Sequence, residues 1–221
     1  MAKSYERLLH RCATFIGGYA AMYTVLIRFN LGSSQTVNLL DMLNSLLGHN
    51  AREFLLRLLG MLIYGCSVFA ASYLSKKGWS GVRLLCGAIC IAGFAVLGFM
   101  PLEIDRCVGL YPTFVTMPFL WVVYGNIGGY ASAPIFSTNN YRQTIGGIAE
   151  YAASHDKKAL DKAKFFGGTL AVFHLGAFLS WIACAQLSGK AAFLGMIPCL
   201  MLCALELAPG LVPGKAKPHR A

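Results

Sequence analysis

The sequence predicts an all-α integral membrane protein: six transmembrane helices as a 3+3 inverted repeat, with two short half-helices that do not cross. Three observations predict it. The chain is 57% hydrophobic and only 13% charged, with a mean hydropathy of +0.58, whereas an ordinary soluble domain is roughly a quarter charged. The apolar residues gather in six long runs without strand alternation. Two polar clusters, each leading into a short amphipathic segment, stand at comparable places in the two halves. The expected organisation is a single membrane domain over 1–221, with repeat halves at about 12–100 and 112–208.

The runs lie at about 12–30, 54–75, 81–100, 112–131, 165–187 and 191–208. Each is long enough to span a bilayer, for which a helix needs ~20 apolar residues. The first has Lys3, Arg7 and Arg11 ahead of it but no A-x-A-like cleavage site at its end, so it is read as a retained span. Glycines within the runs (Gly17, Gly18, Gly60, Gly93, Gly176) suit close helix packing in lipid. The cysteines Cys86/Cys90 and Cys199/Cys203 are each four apart, on one helix face. Without a C-x-x-C or a histidine at ligand spacing they read as apolar packers, and no metal is expected.

Between the first two runs, Thr36–Leu47 has apolar residues at 39, 40, 43, 46 and 47, a helical stripe too short to cross. The connection at about 132–164 opens with Ser137, Thr138, Asn139 and Asn140, continues through Ile145 and Ile148, and ends in a charge run at 154–164. That run reads as a solvated, cytoplasmic helix start. Trp79 and Trp181 lie near span ends, as interfacial aromatics do.

Lys and Arg number 19 against 9 acids, a net charge of +10. With a cytoplasmic N-terminus, fourteen of these cations fall on the cytoplasmic side; Arg28, Arg52, Arg57, Arg106 and Lys190 do not. The positive-inside rule then places both ends in the cytoplasm. The cations lie between apolar runs and form no stripe with interleaved aromatics, so the partner expected is the lipid bilayer and not nucleic acid. Association with further copies of the chain stays open.

The two polar clusters align. Ser34-Gln35-Thr36-Val37-Asn38 lies over Phe136-Ser137-Thr138-Asn139-Asn140 at an offset of 102, and Tyr64–Phe69 over Phe173–Phe178 at 109. With three spans per half, the halves enter the membrane in opposite senses, the layout of transporters whose sites lie at broken helices between repeats. Gln35, Thr36 and Asn38 are therefore expected to meet Ser137, Thr138, Asn139 and Asn140 in one central site, where unpaired helix N–H groups favour an anion or a polar solute. Arg142 would add charge at its mouth. Arg28 near the end of the first run and Asn126 in the fourth are polar within apolar sequence and complete the candidate set.

The residues that carry the repeat also carry a resemblance. Gly18-Tyr-Ala-Ala-Met-Tyr23, Ser34-Gln-Thr-Val-Asn38 and Gly129-Tyr-Ala-Ser-Ala-Pro-Ile-Phe-Ser-Thr-Asn-Asn140 resemble the YoaK family, bacterial six-span membrane proteins with a domain of unknown function. The resemblance covers about 12–206. Thr36, Asn38, Thr138, Asn140 and Arg142 match its motif positions, whereas Val37 and Asn139 stand where the family usually has glycine. It implies a multi-pass protein of the inner (cytoplasmic) membrane and no established activity.

The functional expectation is a transporter or permease for a small polar or anionic solute. The alternative is a non-transporting membrane scaffold or partner subunit. No H-E-x-x-H, G-x-S-x-G, P-loop or paired catalytic carboxylates are present. Neither an enzyme nor a cofactor is expected, and no residue is assigned a catalytic role.

Overall fold

The structure, a computed structural model, describes residues 2–127 and 129–208. Gly128 and the tail cations Lys215, Lys217 and Arg220, counted above on the cytoplasmic side, lie outside the described residues. The described chain is all-α apart from one minimal hairpin. Its helices are α1 (Ala2–Arg28), α2 (Gln35–Leu47), α3 (Ala51–Lys76), α4 (Val82–Phe99), α5 (Tyr111–Tyr124), α6 (Thr138–Ser154), α7 (Lys157–Leu187) and α8 (Ala192–Leu207). Between α5 and α6, β1 (Asn126–Ile127) pairs antiparallel with β2 (Tyr130–Ala131). Gly129 closes that hairpin at φ +87°, a conformation open to glycine. The fourth expected run, 112–131, is therefore cut short: its helix ends at Tyr124, and the chain turns back through the hairpin.

Three helical stretches are long and apolar enough to cross a membrane: Ala51–Lys76, Val82–Phe99, and Lys157–Leu207, which contains α7 and α8. Val108–Tyr124 is a shorter apolar helix. The break between α7 and α8 is at Ser188, with φ +51°. Burial explains why α1 does not stand out by hydropathy. It is enclosed on nearly every side, with Leu9, Ala13, Ile16, Ala20 and Tyr23 in the core, and so it carries polar groups that the bundle satisfies. Tyr19 Oη donates to Ala191 O (2.7 Å), and Tyr23 Oη to Gly189 O (3.0 Å). By contrast α3, with only Gly60, Tyr64, Ser67 and Ala71 buried, turns Leu55, Leu59, Leu62 and Phe69 outward.

The helices pack in a paired pattern. α1 lies on α7 and α8, α5 on α3 and α4, α2 on α3, and α6 on α7; α4 meets α8 and α1 meets α5. At the α1–α7 crossing the backbones touch through glycine: a Cβ on Gly18 would strike the Phe173 carbonyl, and one on Gly176 that of Phe15. Ion pairs tie the two ends. At one, Arg57 binds Asp41 (2.9 Å) and Glu53 (2.7 Å), and Arg52 reaches Asp105 (3.7 Å). At the other, Arg83 holds Glu6 with two hydrogen bonds (2.8 and 2.9 Å) and approaches Glu206 (3.7 Å).

Cys86, Cys90 and Cys199 are buried at the α4–α8 seam, with Cys203 partly buried beside Gly87. Cys199 Sγ donates to Gly195 O (3.2 Å). Among the described residues no group of three or more His, Cys, Asp or Glu is arranged to hold a metal. Replacing all four cysteines with alanine is expected to leave a folded protein, each change costing about 1 kcal/mol as a small packing loss. Thermal unfolding checks this; stoichiometric zinc in the purified protein would contradict it.

Candidate functional site

The two short helices start without help from their own N-cap side chains. Neither Ser34 ahead of α2 nor Ser137 ahead of α6 makes a side-chain cap hydrogen bond. Asparagines one turn further on brace the loops. Asn38 Nδ2 donates to Ser34 O (2.8 Å), and its Oδ1 accepts from Asn30 Nδ2 (3.1 Å). Asn140, fully buried, donates from Nδ2 to Ala133 O (2.9 Å) and Phe136 O (3.0 Å). Its Oδ1 accepts from Ser132 Oγ (3.2 Å) and Ala133 N (3.4 Å).

The braced loops place both helix starts on one cavity of about 630 Å³. Ser34, Gln35 and Thr36 line it from α2 and its loop, Thr138, Asn139 and Arg142 from α6, and Tyr64, Trp121 and Phe136 supply aromatic walls. Two neighbouring cavities share part of this lining. One of about 600 Å³ includes Trp121, Phe136 and Asn139 with Asn126, and one of about 300 Å³ includes Ser34, Phe136, Ser137 and Thr138 with His174.

Of the predicted site residues, Gln35, Thr36, Thr138, Asn139 and Arg142 thus face one space. Ser137 and Asn126 line the adjoining cavities. Asn38 and Asn140 are behind the wall, their amides occupied by the loop backbone and neighbouring polar side chains. Arg28 is elsewhere: 1% exposed, it packs over Gly109 and donates from Nη1 to Pro101 O (3.0 Å). Its position on the last residue of α1 suits the negative end of the helix dipole.

The lining residues include one cation, Arg142, and no acid. Two helix N-termini with no N-cap side-chain bond add partial positive charge. Gln35 adds an unusual feature: its amide nitrogen and oxygen are both buried with no hydrogen-bond partner. An unpaired buried amide on a residue that lines the cavity is a polar group whose donors and acceptor still call for partners. The site therefore combines anion-attracting ends, hydroxyl and amide groups, and aromatic surface. Trp121, Tyr64 and Phe136 were not singled out from the sequence. Trp121 had left a trace, being a tryptophan inside an apolar run where Trp79 and Trp181 lie near run ends.

The sequence model of the family described as "Protein of unknown function (DUF1275)" matches residues 9–205. The chain belongs to the DUF1275 family. Neither the curated proteins nor the solved structures contain a match. In this DUF1275 protein the matched stretch begins within α1 and ends within α8, so every residue lining the cavity falls inside the family domain.

Proposed function

We propose that this DUF1275 protein is a transporter or permease for a small anionic or polar solute. In this reading it has six spans in a bacterial inner membrane, with both ends cytoplasmic, and belongs with the YoaK proteins. The observation that carries the proposal is the convergence of Gln35, Thr36, Thr138, Asn139 and Arg142 on one cavity from two separate helix starts. Such starts are where broken-helix transporters bind anionic groups.

The 3+3 inverted repeat is supported by equivalences at the sequence offset of 102. The Asn30-to-Asn38 hydrogen bond has its counterpart in Ser132-to-Asn140, and Asn38-to-Ser34 in Asn140-to-Phe136. The buried positions of α2 are Asn38 and Ser45; those of α6 are Asn140 and Gly147, again 102 further on. The packing pairs also exchange under the same correspondence: α1–α7 with α5–α3, α1–α8 with α5–α4, and α2–α3 with α6–α7. Enclosed α1 and α5 are related in the same way. The fourteen-to-five division of cations supports the orientation.

The test is ligand-induced stabilisation of the purified full-length protein across small carboxylates, inorganic anions and neutral polar solutes. A solute at a hundred times its Kd adds about 2.7 kcal/mol to the folded state. We expect an anion among the positives, with its effect removed by Arg142→Gln and weakened by Gln35→Leu and Thr36→Val, and its uptake into proteoliposomes reduced in parallel. Binding untouched by all three substitutions would move the site elsewhere, and binding without flux would favour the scaffold reading.

A further inference from the structure

A separate, smaller pocket of about 230 Å³ lies between the N-terminal parts of α1 and α7, apart from the cavities above. Arg7, His10 and Arg11 line it from α1, and Asp161, Lys164, Phe165 and Thr169 from α7. Three permanent cations thus face one carboxylate.

These cations differ from the three arginines whose ion pairs tie the helix ends. Arg52, Arg57 and Arg83 each have acids of their own. Among the described residues, no carboxylate lies within ion-pair distance of Arg7, Arg11 or Lys164. The floor is built. His10 is 1% and Thr169 2% exposed. His10 Nδ1 is 2.8 Å from Tyr124 O, its Nε2 3.4 Å from Thr169 Oγ1, and its ring stacks on Phe165 at 5.5 Å between centroids. Arg11 lies across α7, its Nη2 in van der Waals range of a Cβ on Gly168. The pocket falls where the charged start of α7 (Lys157–Lys164) gives way to the apolar run beginning at Phe165, the level at which a crossing helix leaves the headgroups.

We infer that this pocket is a seat for a phosphate group carrying net negative charge. The volume is below the roughly 300 Å³ of pockets that enclose drug-sized ligands, so the seat takes one phosphoryl group and not a whole solute. Arginine forks and a lysine ammonium are the side chains that phosphate oxygens select. Two sources carry that chemistry: the headgroup of an anionic phospholipid, for which basic pockets between membrane helices are suited, and a free phosphate compound. The level of the pocket at the start of an apolar helix favours the lipid.

The experiment titrates phosphatidylglycerol, phosphatidylcholine and inorganic phosphate into the full-length protein in an uncharged detergent, with apparent affinity read from thermal stabilisation. We expect phosphatidylglycerol to stabilise and phosphatidylcholine not to. The triple variant Arg7→Gln/Arg11→Gln/Lys164→Gln should bind about 100-fold more weakly, at roughly 1 kcal/mol per cation. The charge-matched Lys157→Gln/Lys158→Gln/Lys162→Gln, outside the pocket lining, should bind like the parent. Stabilisation by inorganic phosphate as well, lost in the same triple variant, upholds the seat and assigns it to free phosphate compounds too. Equal losses in both triple variants would reduce the effect to general surface charge and overturn the seat, as would no stabilisation by either anion.

Discussion

Gly18→Leu is expected to prevent accumulation of folded protein. At this position α1 meets α7 backbone to backbone: an added Cβ would overlap the Phe173 carbonyl oxygen and crowd its carbon at 2.8 Å. No side-chain rotation relieves that contact, because the obstacle is main chain. Nor can α1 shift freely, since a Cβ on Gly17 would likewise strike Pro134 O and one on Gly176 the Phe15 carbonyl. Overpacking into a side-chain core typically costs 1–3 kcal/mol. Prying apart two buried helices should exceed about 3 kcal/mol, a large share of a stability of about 5–15 kcal/mol. Gly65→Leu is the control: nothing lies within 4 Å of a Cβ there, and leucine has the better helix propensity. Monodispersity on size exclusion and the midpoint of thermal unfolding report both. A Gly18→Leu protein as stable as the Gly65→Leu protein would mean that the α1–α7 crossing is wrong.

Asn140→Leu should rank next, at about 3 kcal/mol. The Asn140 amide makes four hydrogen bonds in a fully buried position, three of them to the backbone of the loop that leads into α6. Leucine fills similar space but leaves two carbonyls and an N–H without this partner. Each buried group stranded in this way costs about 1–3 kcal/mol, reduced where the loop relaxes or water enters. Asn38→Leu should cost less, about 1–2 kcal/mol, because Asn38 makes one bond to backbone and one to the Asn30 side chain. Since the loop carries Phe136 and Ser137, Asn140→Leu should also weaken solute binding as the cavity wall loosens. Denaturation midpoints and ligand-induced shifts, measured on both variants, separate the roles. An Asn140→Leu protein of unchanged stability that has lost binding would make Asn140 a direct contact instead of a brace.

The placement of the site residues shows what a linear pattern can carry. Gln35, Thr36, Thr138, Asn139 and Arg142 were legible because polar residues clustered before a short apolar stripe are anomalous in so hydrophobic a chain. The same pattern included Asn38 and Asn140, which the structure turns to the loop backbone. Sequence spacing gives the turn of the helix on which a side chain lies, whereas its hydrogen-bond partner depends on where the preceding loop passes. The pairing of Asp41 with Arg57 has the same origin. Arg57 comes within 2.9 Å, while Arg28 is drawn under Pro101 and Gly109.

By itself the sequence determined the all-α class, the apolar runs and the two short amphipathic helices after polar clusters. These follow from composition and periodicity, which act over one to a few helical turns. Tertiary structure decided the rest. It ended the fourth run at Tyr124 with a hairpin, enclosed α1 and α5 so that their hydroxyls became affordable, and laid Trp121, Tyr64 and Phe136 around groups from two distant helices. It also gathered Arg7, Arg11 and Lys164 around one pocket with a single carboxylate, Asp161. Burial and polar pairing are properties of contacts between residues such as His10 and Thr169, 159 positions apart, and no local period encodes which helix will supply the partner.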